Sequence, residues 1–344
     1  MPQFEWATVA LPDRHFYWRT RSNALTFAFQ QPELSRNYDL LLATSMVDLC
    51  NLRGLIPRLA SIPTILYFHE NQFAYPQRKA NSNLINAQLT TVYSALVADR
   101  LVFNSEYNRD SFFQGAHALF DKMPDGTPKD LMQSLPVRSD VIPVPIRDEL
   151  SSFASTQINR PVEILWNHRW EYDKQPQVFF AAIRRLISAG FKLSLHIVGQ
   201  SFRQAPPCFA EFREAHSECI LTWGFQPKES YHQILGRSDI VVSTALHDFQ
   251  GLGMLEAIAA GCTPVAPNRM AYPEYIGDEH LYQISADPGV DNNEALEIES
   301  LFQKLVTTVQ NTAEHPGPHK IDVQRYRVSE LIPVYEKLIR HQLA

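Results

Sequence analysis

The chain has 344 residues, enough for two domains of about 150 residues each with sizeable cores. A hydrophobic content of 45% with 20% charged residues is that of a globular protein in water, and 23 prolines against 13 glycines argue against low-complexity linkers. The net charge of −6 gives no overall basic footprint for nucleic acid, no apolar run approaches the ~20 residues of a bilayer span, and the opening Met1-Pro-Gln-Phe-Glu-Trp6 lacks a signal-peptide pattern.

The first 150 residues carry a net charge of −1 and the remainder −5, so a polyanion would meet the first half, through a local patch. Within that half, Arg14-His-Phe-Tyr-Trp-Arg-Thr-Arg21 mixes cations with aromatics, a composition suited to stacking on bases and touching phosphates. It equally suits an amphipathic surface segment with its rings tucked inside. The predicted elements then alternate. Strands are expected at Tyr38–Thr44, Thr64–Phe68, Arg100–Phe103 and Val141–Val144, and helices over Asp48–Ala60, over Asn83–Ala98 and after Ser105. Lys122–Val137 contains Pro and Gly and lacks period, which predicts a long loop. Strands alternating with helices predict a parallel sheet covered on both faces.

Serine-rich Arg147–Arg160 reads as a linker, and a second α/β series follows it. Strands are predicted at Val162–Trp166, Lys192–Val198, Cys219–Trp223, Asp239–Ser243 and Thr263–Ala266. Helices are predicted at Pro176–Ala189, Lys228–Leu235, Met254–Ala260, Ala295–Val309 and Val323–Leu343. Two such sheets would bind ligand in a cleft at the carboxyl ends of their strands. Four scattered cysteines (Cys50, Cys208, Cys219, Cys262) without a Cys-x-x-Cys read as reduced thiols of a cytoplasmic protein.

The most informative stretch is Ser243–Gly261. A buried strand passes through a turn with Gly251 and Gly253 into an apolar helix. Free backbone N–H groups at such a helix start suit a phosphate, although a Gly-x-Gly pair also occurs in αβ turns that bind nothing. Two carboxylates frame the turn. Asp248 precedes it, and Glu256 lies among Leu255, Ala257 and Ile258, where it needs a polar partner. Arg169 and Lys174, five apart after a strand, suit a diphosphate; a solvated loop with Glu171 and Asp173 as internal partners fits as well. His69 ends a strand in Tyr-Phe-His-Glu-Asn-Gln72, as a ligand-facing histidine or as a capped core one. No Asp-x-Asp, Walker loop, Gly-x-Gly-x-x-Gly or Gly-x-Ser-x-Gly is present, so no metal or separate cofactor is expected.

Taken together, Asp248-Phe-Gln-Gly-Leu-Gly-Met-Leu-Glu256-Ala-Ile-Ala-Ala-Gly261, the Arg169/Lys174 pair, Gly199 and Gly224-Phe225 resemble the family-4 retaining glycosyltransferases of the GT-B fold. The first acid of the motif is Asp where the family has Glu. Trp18-Arg-Thr-Arg-Ser-Asn-Ala-Leu25, Tyr67-Phe-His-Glu-Asn-Gln72-Phe-Ala-Tyr-Pro76, Val102-Phe-Asn-Ser105, Trp166-Asn-His-Arg-Trp-Glu-Tyr-Asp-Lys174 and the Cys262–Asn268 stretch are similar to its tRNA-queuosine α-mannosyltransferase branch. The resemblance implies two Rossmann-like, doubly wound domains facing a cleft. These are an acceptor-side domain over 1–150, a nucleotide-sugar domain over 151–320, and a last helix over 321–344 packing back towards the first domain. The strand Trp6–Leu11 would match the family's second, the opening βα unit being absent.

The implied activity is transfer of mannose from GDP-mannose to queuosine in a tRNA of the tRNA-Asp type, with retention and without a metal. Glu256 would hold the ribose and Asp248 the donor sugar. The N–H groups of Gly251, Leu252 and Gly253, with Arg169 and Lys174, would hold the diphosphate. Gly199, Gly224 and Phe225 would line the donor site, and His69 would bond a sugar hydroxyl. Arg14, Trp18, Arg19, Arg21, Asn71, Gln72, Asn104 and Ser105 are candidates for the acceptor or the tRNA. Two alternatives stay open: the same fold with another sugar nucleotide and a lipid or small-molecule acceptor, or a non-catalytic module binding a nucleotide sugar or RNA.

Overall fold

The computed structural model describes residues 1–12, 16–74, 83–124, 129–154, 160–201, 205–284, 293–318 and 321–344. The chain forms two compact units, one of Met1–Val144 with Ser329–Ala344 and one of Pro145–Val328. The first unit contains α1 (Phe16–Gln30), β1 (Leu41–Thr44), α2 (Leu49–Leu55), α3 (Pro57–Ala60), β2 (Thr64–Phe68), α4 (Asn83–Val97), β3 (Arg100–Phe103), α5 (Glu106–Phe120), α6 (Lys129–Val137) and β4 (Ser139–Val141). The second contains β5 (Val162–Asn167), α7 (Pro176–Ser188), β6 (Leu193–Val198), α8 (Cys208–Ala215), β7 (Ile220–Gly224), α9 (Lys228–Arg237), β8 (Ile240–Val242), α10 (Leu252–Ala259), β9 (Thr263–Pro267), β10 (Leu281–Tyr282) and α11 (Asn293–Glu314). The chain ends in α12 (Val328–Leu343).

In the first unit the strands lie in the consecutive order β1-β2-β3-β4, all parallel. Every residue of β2 is buried, as a central parallel strand covered on both faces requires. Leu66, Phe68, Leu101 and Phe103 face one layer with Leu49, Val92, Ala95, Phe112 and Ala116. Phe68 stacks on Phe103 with ring centroids 4.4 Å apart. Ile65, Tyr67 and Val102 face the other layer, which Leu331, Leu338 and Ile339 of α12 fill. Tyr335 pins that helix, its hydroxyl lying 2.9 Å from the Pro143 carbonyl and 3.1 Å from the Tyr67 hydroxyl.

Several expectations for this unit change. Trp6–Leu11 is not a strand; it is mostly exposed and pairs with nothing in the sheet, with Val9 alone of the stretch reaching a core cluster. Lys122–Val137 is not all loop. Its second half is α6, anchored by fully buried Leu135, with Pro136 one residue before the helix ends. The helix expected over Asp48–Ala60 breaks at Pro57, because the residue before a proline leaves the helical region and Ile56 sits at φ −123°, ψ 85°.

In the second unit the order is β10-β9-β8-β5-β6-β7, all parallel. The chain steps outwards from β5 through β6 to β7, then restarts on the other side at β8, so the order reverses between β5 and β8. Ligand crevices of open α/β sheets form at the carboxyl ends of strands at such a reversal. One face packs Ile164, Trp166, Leu195 and Ile197 against α7, α8 and α11, and the other packs Leu165 and Val241 under α9 and α10. Sequence reading missed α8 and β10. α8 buries Phe209 and Phe212 in the core with Cys208 packed at its edge, and β10 is two residues long. The segment read as a linker is packed through Leu150, which is fully buried among Ile146, Leu235 and Ile258.

β5 also buries a charge. Glu163 accepts two hydrogen bonds from Arg237, at 2.8 and 2.7 Å, and lies 2.9 Å from His196 on β6. Burial alone would raise its carboxyl, but His196, Arg237 and Arg160 outweigh that and hold it at about 2.

Candidate functional site

The carboxyl edge of the second sheet collects most of the residues expected in the donor site. β5 ends on Asn167, and the loop behind it carries His168, Arg169 and Lys174. Gly199 follows β6, and Gly224 closes β7. The loop after β8 runs from Ser243 to Gly251 and opens α10.

The loops after β5 and β8 are laced together. The Thr244 hydroxyl donates to the Lys174 carbonyl at 2.6 Å, and the Leu246 amide donates to the Asp173 carbonyl at 2.7 Å. Lys174 is only 6% exposed. Its ammonium donates to the His247 carbonyl and lies 3.2 Å from Asp173. Arg169 is exposed and pairs with Glu171 at 3.6 Å. Both carboxylates of the solvated-loop reading are therefore at hand, but they meet the two cations in opposite settings, one dry and one wet.

Asp248 turns towards the backbone. Its Oδ1 accepts from the Gly251 amide at 2.7 Å and its Oδ2 from the Tyr272 hydroxyl at 3.2 Å. Burial would raise this carboxyl, but Lys174, then His168 and the Gly251 and Gln250 amides, bring it below the usual carboxylate range. One helix-start N–H expected to meet phosphate, that of Gly251, is thus taken by Asp248. Gly251 adopts φ 76°, and a side chain there would strike the Tyr275 hydroxyl and the Tyr272 ring. At Gly253 a Cβ would come within 2.9 Å of the Asn167 side-chain nitrogen. Gly199, at φ 149°, lies against the His168 carbonyl, which a Cβ would hit. Gly224, at φ 85°, has open space around it, and Phe225 beside it is 72% exposed. Leu252 is exposed at the first position of α10.

Glu256 lies half-buried one turn into α10, and burial raises its carboxyl above the ordinary value. The partner it needs is Tyr231 of α9, whose hydroxyl donates at 3.1 Å. His168, absent from the sequence-based candidates, is buried against Trp166. Burial first, and then the Lys174 charge, hold it at about 4, so it is neutral at pH 7. Its signal in the sequence is a polar Asn167-His168 pair directly behind the apolar run of β5. Tyr231 has no such signal, being 25 positions from Glu256 on a different helix.

In the first unit the candidates sort differently. His69 follows β2 and is exposed, one ring face lying over Tyr67 with centroids 4.6 Å apart; partial desolvation lowers its pKa, so it too is neutral at pH 7. Asn71, Asn104 and Ser105 do not face outwards. The Asn71 amide bonds Asn108 and Ser111 and accepts from the Phe73 and Ala74 amides. Asn104 bonds the His69 carbonyl and Asn108, and Ser105 caps α5. These three are buried and shape the loops around His69. Gln72 is half-buried over Met46. Trp18, 69% exposed, and exposed Arg21 stand on α1, while Arg14 and the Arg19 side chain lie outside the described residues.

Residues 1–146 match the family described as tRNA-queuosine alpha-mannosyltransferase N-terminal, and residues 148–304 match glycosyl transferases group 1. The chain is 34% identical over 285 residues, 80% of its length and 75% of the relative's, to a tRNA-queuosine alpha-mannosyltransferase of Drosophila melanogaster. Among solved structures it is similar to Anabaena HepE in complex with UDP and glucose, with a TM-score of 0.59 at 15% identity over 93% of this chain and 80% of that one. It is also similar to sucrose-phosphate synthase from Thermosynechococcus elongatus, with a TM-score of 0.62 at 12% identity over 97% and 80%. The two parallel-sheet α/β units are those of the GT-B fold. The chain belongs to the tRNA-queuosine alpha-mannosyltransferase family of glycosyltransferases.

Proposed function

We propose that the protein transfers mannose from GDP-mannose to the cyclopentenediol of queuosine in a tRNA of the tRNA-Asp type, with retention of configuration. The observation that carries this reading is the 34% identity to a tRNA-queuosine alpha-mannosyltransferase across 80% of the chain. The second unit supports a nucleotide-sugar donor. Glu256 takes the ribose, and Asp248, kept ionised by Lys174, offers its remaining lone pairs to the mannose hydroxyls. Arg169, Lys174 and the remaining N–H groups of the α10 start hold the diphosphate. Phe225 and the backbone around Gly224 and Gly199 border the base.

In the reaction, the bond between the anomeric carbon and the diphosphate oxygen breaks, and a bond from that carbon to a queuosine hydroxyl oxygen forms on the same face. The leaving diphosphate takes the hydroxyl proton and departs as GDP. Negative charge grows on that phosphate as the bond opens. Buried Lys174 and the helix start lower the cost of that charge without having to reorganise, and exposed Arg169 adds a second cation. His69 offers a neutral imidazole at the carboxyl edge of the first sheet for a sugar hydroxyl. Trp18 and Arg21 are the described candidates for contact with the tRNA.

The test is transfer of radiolabel from GDP-mannose, UDP-glucose and UDP-galactose to queuosine-containing tRNA and to the same tRNA carrying guanosine at that position. Label from GDP-mannose on the queuosine tRNA alone is the expected result. Equal labelling of both tRNAs refutes queuosine as the acceptor, and transfer from a UDP sugar instead refutes the donor.

A further inference from the structure

Glu256 has apolar neighbours on its own helix, and its hydrogen bond comes from a chain of side chains anchored elsewhere. The Tyr231 hydroxyl donates to Glu256 Oε2 at 3.1 Å. The Tyr231 hydroxyl oxygen in turn accepts from Asn167 Nδ2 at 3.0 Å, and that nitrogen also donates to the Gly253 carbonyl at 2.9 Å. The orientation of the amide is fixed by chemistry, since the Gly253 carbonyl can only accept and so requires the NH2 group to face it. With Asn167 donating to the tyrosine oxygen, the one tyrosine proton is directed to the carboxylate. The end of β5, α9 and the first turn of α10 are thereby tied to one oxygen of one side chain. Among the described residues no hydrogen bond reaches the other oxygen, Glu256 Oε1, while the charge of Arg147 also acts on this carboxylate.

We propose that Tyr231 is a positioning residue, which with Asn167 holds Glu256 so that Oε1 is a fixed acceptor selecting a ribose hydroxyl of the donor nucleotide. The proposal rests on the nucleotide-sugar reading above and adds to it the group that sets the preference for ribose. A free carboxylate on a half-exposed helix samples several rotamers, and each acceptor it offers is diluted among them. Holding Oε2 removes that freedom before the ligand arrives, so the ribose hydroxyl meets a preorganised, charged acceptor. A hydrogen bond to a charged group corresponds to a roughly 10- to 100-fold difference in binding between ligands that do and do not supply the hydroxyl.

The experiment measures dissociation constants of GDP and UDP, each against its 2′,3′-dideoxy counterpart, for the full chain and for Tyr231→Phe, Asn167→Ala and the double variant. Unfolding temperatures are recorded alongside. The wild-type chain is expected to favour the ribonucleotide by the factor above. Tyr231→Phe is expected to lose most of that ratio while binding the dideoxy form as well as wild type does. The double variant is expected to lose no more than Tyr231→Phe, because both residues act through one chain of bonds. If Tyr231→Phe does not fold, Asn167→Ala carries the test and is expected to lower the same ratio. An unchanged ratio in the folded variants overturns the proposal, as does equal binding of ribo and dideoxy forms by the wild-type chain. Failure of the wild-type chain to bind either GDP or UDP overturns the nucleotide-sugar reading, and this proposal with it.

Discussion

Arg169 and Lys174 carry the same charge, but one is exposed and the other buried, so their losses are expected to differ in what they cost the fold. Arg169 is solvated and pairs loosely with Glu171, so its loss costs the fold little. Arg169→Ala is expected to leave the unfolding temperature unchanged while lowering turnover about 10²-fold or more, the loss seen on removing a donor to developing charge. Lys174 is buried, and its charge balances Asp173 and Asp248. Lys174→Ala is expected to lower turnover by a similar factor and to destabilise the second unit as well, by about 3–5 kcal/mol, because it leaves buried carboxylates uncompensated. Calorimetry beside steady-state rates separates the two. Wild-type turnover by either variant at saturating donor contradicts the diphosphate assignment of that residue.

The elements meet the site through close approaches of backbone, and these give the sharpest stability predictions. Gly199 holds the end of β6 against the His168 carbonyl at a positive φ, so Gly199→Ala must move one loop or the other. A loss of about 1–3 kcal/mol is expected, with weakened nucleotide binding, since the displaced loop also carries Arg169 and Lys174. An alanine variant of wild-type stability and affinity would show that the approach is dispensable. Tyr335→Phe removes the bonds of α12 to the Pro143 carbonyl and the Tyr67 hydroxyl and is expected to cost about 1 kcal/mol in the first unit, read from its denaturation midpoint. Elements of this kind were legible where burial is complete. The strands β2, β3, β5 and β6 could be placed to within a residue or two, because a strand covered on both faces reads as a near-continuous apolar run, here interrupted by Arg100, Glu163, Ser194 and His196. They were not legible where a few side chains carry the burial, as with Phe209 and Phe212 of α8 or Leu135 of α6.

Across the whole molecule, two buried groups link stability to pH through opposite chemistry. His168 is held at about 4, below its ordinary 6.5, so the unfolded chain takes up a proton first and stability falls as the pH drops from 6.5 towards 4. Glu163 is held at about 2, below its ordinary 4.5, so its contribution is present above 4.5 and is lost as the pH falls from there towards 2. Urea denaturation across this range is expected to show His168→Phe flattening the upper limb alone and Glu163→Gln the lower limb alone. Unchanged limbs would contradict the proton balance.

The candidate site was legible where its residues follow strands: Gly199 lies directly after β6, Lys174, Asp248 and Gly251 lie in the loops after β5 and β8, and Glu256 lies one turn into α10. Sequence did not reveal which polar groups are already committed. Asp248 caps its own turn, Asn71, Asn104 and Ser105 bond inwards, and Tyr231 reaches Glu256 from another helix, because such pairings depend on contacts between distant positions. The proposed mannosyl transfer is tested most directly by mass spectrometry of nucleosides digested from queuosine-containing tRNA after incubation with the protein and GDP-mannose. The account predicts that queuosine gains the mass of one hexose and that every other nucleoside is unchanged. Unmodified queuosine, or a hexose on any other nucleoside, would contradict it.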